Sequence, residues 1–132
     1  MAISARININ NCNYEFFGKI MLYLALGLFL VAAILGLVLL TNVLTNKTPP
    51  SNVILAHGIL AVIGVLLVIN YTLENDLDDP WLILAMFGLA ILGGSILFTL
   101  QLRKKAIPKI MALVHPVVAA IAVISLIMYV LK

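Results

Sequence analysis

The sequence predicts an all-α membrane protein, a four-transmembrane-helix bundle built from two parallel-repeat helical hairpins. Three observations carry that prediction. First, 64% of the 132 residues are hydrophobic and only 10% are charged, more apolar surface than one small core can hide from water. Second, the apolar residues fall into four blocks, about 20–41, 53–73, 81–102 and 107–131, each near the twenty residues a helix needs to cross the hydrocarbon layer. Third, the connections are short, so successive helices are antiparallel neighbours. None of the blocks shows the polar/apolar alternation of barrel strands, and the bilayer offers unpaired backbone groups no water, so each segment must close its own hydrogen bonds as a helix.

Residues 1–19 read as a polar N-terminal segment, rich in Asn, unlike the short basic start of a cleaved signal peptide. The block that follows is too long for a signal core, so it is expected to remain as a span. The one cysteine, Cys12, lies in this polar segment and is read as a free thiol.

The second block opens after Pro49 and Pro50, with Ser51 or Asn52 as side-chain caps. The acidic loop 74–80 ends in Asp79-Pro80, a helix start with Asp79 capping and Pro80 in the first turn. This loop is expected to be a solvated turn and not a cation site. A basic connection, Arg103 to Ala106, leads through Pro108 into the fourth block.

Charge sets the expected orientation. Loops 42–52 and 103–106 lie on one side with Lys47, Arg103, Lys104, Lys105 and nearby Lys109, while loop 74–80 holds Glu74, Asp76, Asp78 and Asp79. The positive-inside rule then puts the two basic loops in the cytoplasm and both termini and loop 74–80 outside. Tyr23, Tyr71, Trp81 and Tyr129 fall near the outer helix ends, as interfacial aromatics do. Short loops and minimal soluble parts favour a bacterial inner membrane.

An internal repeat organises the blocks. Moving the second onto the fourth by 58 residues matches nine positions, among them Pro50 with Pro108, His57 with His115, Ala61 with Ala119 and Tyr71 with Tyr129. The first maps onto the third with an offset of 57, aligning Ala33-Ile34-Leu35-Gly36 with Ala90-Ile91-Leu92-Gly93. The repeats are about 20–73 and 81–131. Because each unit has two spans, both insert the same way round, about an axis along the membrane normal. Equivalent side chains on the second and fourth helices are thereby expected to meet at one depth.

His57 and His115 are the only histidines, each expected about 10 Å inside the membrane. Groups of this kind at depth tend to face the bundle interior and mark function. One and two turns on stand Ala61 and Gly64 in one copy and Ala119 and Ala122 in the other. Such small residues leave room for a planar cofactor, or simply let helices approach. Arg103 and Lys105, at the same end, are candidate partners for the acidic groups of that cofactor, or only topogenic anchors.

Four apolar helices with Leu55-Ala56-His57-Gly58 and Leu113-Val114-His115-Pro116 resemble the membrane-embedded b-type cytochromes, including the family typified by cytochrome b561. The resemblance implies haem b held by two axial histidines, here His57 and His115 as metal ligands, and electron transfer to or from quinone. Two haems need four histidines; this chain has two, so one haem is the most it holds.

Two rival expectations stand beside it. One is a non-catalytic scaffold or accessory subunit, its partners other membrane subunits or further copies of itself in the lipid bilayer. The other is a proton relay through the histidines. Two imidazoles without Cys or carboxylate nearby make a poor zinc or copper site. No Ser/His/Asp grouping, phosphate-cradling glycine loop or intramembrane carboxylate is present, which excludes hydrolase, nucleotide-binding and carboxylate proton-pump chemistry. Nucleic acid is not an expected partner.

Overall fold

The computed structural model describes the backbone of residues 2–74 and 80–131 and the side chains of residues 16–74 and 80–131. The described residues form four helices: α1 (Ala2–Leu44), α2 (Ser51–Glu74), α3 (Pro80–Leu102) and α4 (Lys109–Val130). All four contain a stretch long and apolar enough to cross a bilayer, in α1 the part Phe16–Leu44. Their outward faces are apolar as well: Leu30, Leu66, Leu92 and Met128 are 66%, 58%, 62% and 67% exposed, and no described polar or charged residue is buried. A surface of that kind is at rest only in lipid, so the protein is an integral membrane protein.

The helices begin and end within a few residues of the expected blocks, except that α1 extends much further at its N-terminal end. There α1 is continuous from Ala2, so the polar segment is helical and runs on into the first span. Hydropathy marks where lipid begins, whereas helix continuity needs only the absence of a breaker, and residues 2–17 contain neither Gly nor Pro.

At α2, where Ser51 or Asn52 is the expected cap, the helix already includes Ser51, and α4 starts in the same way. The Pro50 carbonyl accepts from Val53 and Ile54, and the Pro108 carbonyl from Ala112, with no side-chain cap at Pro108. Proline thus stands immediately before both α2 and α4, the fixed φ setting up the first turn. Pro80 opens α3 as expected, while Asp79 lies outside the described residues.

The two basic turns are alike bond for bond. In the first, Thr45, Asn46 and Lys47 donate their amides to Thr41, Val43 and Asn42; in the second, Arg103, Lys104 and Lys105 donate to Thr99, Gln101 and Leu100. The turning residues Asn46 and Lys104 have φ of 57° and 52°, the left-handed cap that closes a helix by bonding its last carbonyls.

Around the bundle the helices run α1, α2, α3, α4. Close contacts bind α1 to α2 and α3 to α4; the two hairpins meet through α1 with α4 and, least, α2 with α3. The pairs α1/α3 and α2/α4 are diagonal, in touch through side chains only.

Side chains on the bundle axis form three layers. Phe29 and Phe87 stack with ring centres 4.9 Å apart, His57 meets His115 edge to face at 6.3 Å, and Tyr71 meets Tyr129 likewise at 6.4 Å. The buried core, with Leu22, Val65, Val68, Ile83, Ala122 and Leu126, surrounds the phenylalanine layer and reaches the tyrosines. Trp81 and Tyr23 are exposed, at 74% and 62%, as interfacial aromatics should be. Tyr71 and Tyr129 differ: they turn inward and pack on the core.

Candidate functional site

His57 and His115 both stand six residues into their helices, about 9 Å along the axis, so two hairpins running the same way round bring them level. They come from diagonal helices and meet in the bundle interior. Their planes cross at 77°.

Each ring lies against a glycine of the other helix in its own hairpin. A methyl group added at Gly36 on α1 would lie 3.0 Å from His57 Cε1 and 3.3 Å from Nδ1; one at Gly94 on α3 would lie 3.2 Å from His115 Cε1. Gly93 also faces His115, but through Nδ1 at 3.5 Å and Cβ. These glycines are needed because an imidazole occupies the space a side chain would take.

His57 Nδ1 is 2.8 Å from the carbonyl oxygen of Ala32. A carbonyl only accepts, so Nδ1 carries a hydrogen and Nε2 is the nitrogen left to offer a lone pair. A metal-binding histidine is held in the same way, its second nitrogen donating to a carbonyl while the first ligates. His115 Nδ1 is buried beside the backbone of Ala90 but completes no hydrogen bond. Next to His115 stands Pro116, inside α4, where α2 has Gly58. Proline removes an amide and crowds the carbonyl four residues back, a backbone difference at the point where the two histidine environments diverge.

The other expected site residues separate into groups. Ala61 and Ala119 are half-buried one turn beyond the histidines. Gly64 is buried under Phe29, whose Cε1 would be 2.7 Å from an added methyl, and Ala122 is fully buried in the core. Both therefore serve the phenylalanine layer beneath the histidines. Arg103 and Lys105 are not brought to the histidines. They are exposed and share a shallow groove with Leu92, Ile96, Thr99 and Leu100, a face of α3 turned roughly opposite to Gly94 by the helical period.

The residues missed by sequence reasoning are Phe29, Ala32, Gly36 and their counterparts Phe87, Ala90 and Gly94 on α3. Each pair is 58 apart, the offset that also relates Thr41 to Thr99 and Lys47 to Lys105. The expected offset of 57 for α1 on α3 differs from this by one residue. It pairs Gly36 with Gly93, whereas Gly94 meets the same three ring atoms of its histidine as Gly36 does. No family model, curated protein or solved structure matches this chain.

Proposed function

We propose that the facing imidazoles of His57 and His115 are the axial ligands of one b-type haem, and that the protein carries electrons between quinone, or a partner subunit, and that haem. The observation that carries this reading is the histidine spacing. Metal–imidazole bonds of about 2.0–2.1 Å and a ring radius of about 1.1 Å put two ring centres roughly 6 Å apart across a single metal; the separation here is 6.3 Å.

The donor set and its support also fit. Two neutral imidazoles in an apolar interior suit a low-charge iron centre, and His57 has the fixed tautomer that frees Nε2. Gly36 and Gly94 cradle the rings, while Ala61 and Ala119 give flat walls. The Phe29/Phe87 stack closes the floor and keeps water from the site. The hairpins meet less closely than the helices within each hairpin, least of all between α2 and α3. When bound, the haem supplies one-electron redox chemistry. The chain's part is to orient the two nitrogens, hold them against rotation and exclude water.

The repeat belongs to the same proposal: one hairpin duplicated at a uniform offset of 58 supplies half of the site twice. The like cap geometry of Asn46 and Lys104 supports it. So does the placement of Gly36 and Gly94 against their histidines. In this reading the two basic turns face the cytoplasm of a bacterial inner membrane, with the haem nearer that side.

A second reading, a scaffold subunit with structural histidines, is favoured by the direct edge-to-face contact of the rings, which needs no metal to hold them. A visible spectrum of detergent-purified protein expressed with haem supplied separates the two. The cytochrome reading expects a reducible Soret band lost in His57→Ala and in His115→Ala. A colourless wild type that co-purifies with a larger complex supports the scaffold.

A further inference from the structure

The groove on the outer face of α3 is a second feature, independent of the histidines. Leu92, Ile96 and Leu100 form an apolar track, and Thr99, Arg103 and Lys105 close its loop end. Leu92 and Ile96 are 62% and 48% exposed, so the track faces lipid. The carbonyls of Thr99, Leu100 and Gln101 are already bonded by the amides of the turn, and the Lys109 ammonium, across the bundle, donates to the Leu44 carbonyl. Arg103 and Lys105 have no ion-pair partner among the described residues, and the other cations of this end, Lys47, Lys104 and Lys109, add to one positive field.

We propose that this groove holds one anionic phospholipid, its phosphate between the Arg103 guanidinium and the Lys105 ammonium and an acyl chain along Leu92, Ile96 and Leu100. The length supports the assignment: from Leu92 to Arg103 the helix rises about 16 Å, close to the depth of one leaflet's hydrocarbon, half of the roughly 30 Å core. A guanidinium offers a planar fork to phosphate oxygens and an ammonium adds a point charge. Basic pockets beside transmembrane helices select anionic headgroups by the same chemistry.

Native mass spectrometry of the full chain, released from nanodiscs of equal phosphatidylglycerol and phosphatidylcholine, tests this. Wild type should retain one phosphatidylglycerol at least tenfold over phosphatidylcholine. The double change Arg103→Gln, Lys105→Gln should bring the ratio near one. Ile96→Trp, which fills the track and keeps every charge, should also release the lipid. The double change Lys47→Gln, Lys109→Gln, which removes equal charge from the same face, should leave retention unchanged. Retention by the tryptophan variant, or equal loss in the Lys47/Lys109 variant, would show a diffuse charge effect and overturn the site. Release by millimolar inorganic phosphate would overturn it in favour of a free anion. Circular dichroism checks that the variants are folded.

Discussion

Adding one methyl group at Gly64 should harm this protein, and adding one at Gly36 should harm its site while sparing its stability. At Gly64 the new carbon would lie 2.7 Å from Phe29 Cε1 and 3.0 Å from Cζ. The ring has little room to retreat, because its far face stacks on Phe87 at 4.9 Å. Overpacking of a filled core costs about 1–3 kcal/mol, while replacing a helical glycine by alanine returns about 0.5–1 kcal/mol. Gly64→Ala should therefore lose between about 0 and 2.5 kcal/mol net, centred a little above 1 kcal/mol. For domains near this size each kcal/mol moves the thermal midpoint by roughly 2–8 °C, so a fall of about 5 °C in detergent is expected. At Gly36 the clash is with the His57 ring edge, 3.0 Å away, so the ring must give by a few tenths of an ångström, which strains its 2.8 Å bond to the Ala32 carbonyl. That hydrogen bond contributes about 1 kcal/mol, near what the alanine returns to the helix. Gly36→Ala should melt within a few degrees of wild type yet bind haem less completely, read as Soret absorbance per protein. A Gly64→Ala protein that melts at or above the wild-type midpoint would refute the locked phenylalanine layer. A Gly36→Ala protein with full haem content would refute the glycine cradle.

Phe87→Ala removes half of the stacked layer and should cost about 3–5 kcal/mol, the range for large aromatic truncations in packed cores; denaturant titration in mixed micelles measures it. Pro116→Ala restores a helical amide and should stabilise α4 by about 1–3 kcal/mol. It should also let His115 Nδ1 complete its bond beside Ala90, so its 15N chemical shift moves toward that of His57; unchanged shifts would detach Pro116 from the histidine asymmetry. Lys109→Gln loses only an exposed contact with the Leu44 carbonyl and should change stability by less than about 1 kcal/mol, which a thermal melt resolves.

The four spans were legible because apolar length is a direct physical requirement of crossing lipid, and each block carried it in full. The facing histidines were legible because His57 and His115, the only two in the sequence, stand at the same offset of 58 as Pro50 and Pro108 and as Tyr71 and Tyr129. The ring cradle was not. Gly36, Gly94, Ala32 and Ala90 are small residues in helices full of small residues, and the run Ala-Ile-Leu-Gly offered a match at an offset of 57, one residue from the 58 of the histidines. Phe29 and Phe87 carried a usable signal, an aromatic pair at the same offset as the histidines, which only a search at a single uniform offset exposes. The fate of Arg103 and Lys105 was hidden for a different reason. Sequence placed them at the right end of the bundle, but the face of α3 they share depends on where Gly94 points, and that follows from packing. Tyr71 and Tyr129 looked like interfacial anchors by position alone; their inward turn follows from the diagonal placement of α2 and α4.

The central claim is that two imidazoles share one metal in the bundle interior. Low-temperature electron paramagnetic resonance of the oxidised, haem-supplied protein tests it most directly. The account predicts a low-spin ferric signal that turns high-spin or disappears when either His57 or His115 becomes alanine and persists when Lys105 becomes glutamine. A wild-type protein that is folded, haem-supplied and without any low-spin haem signal would contradict it.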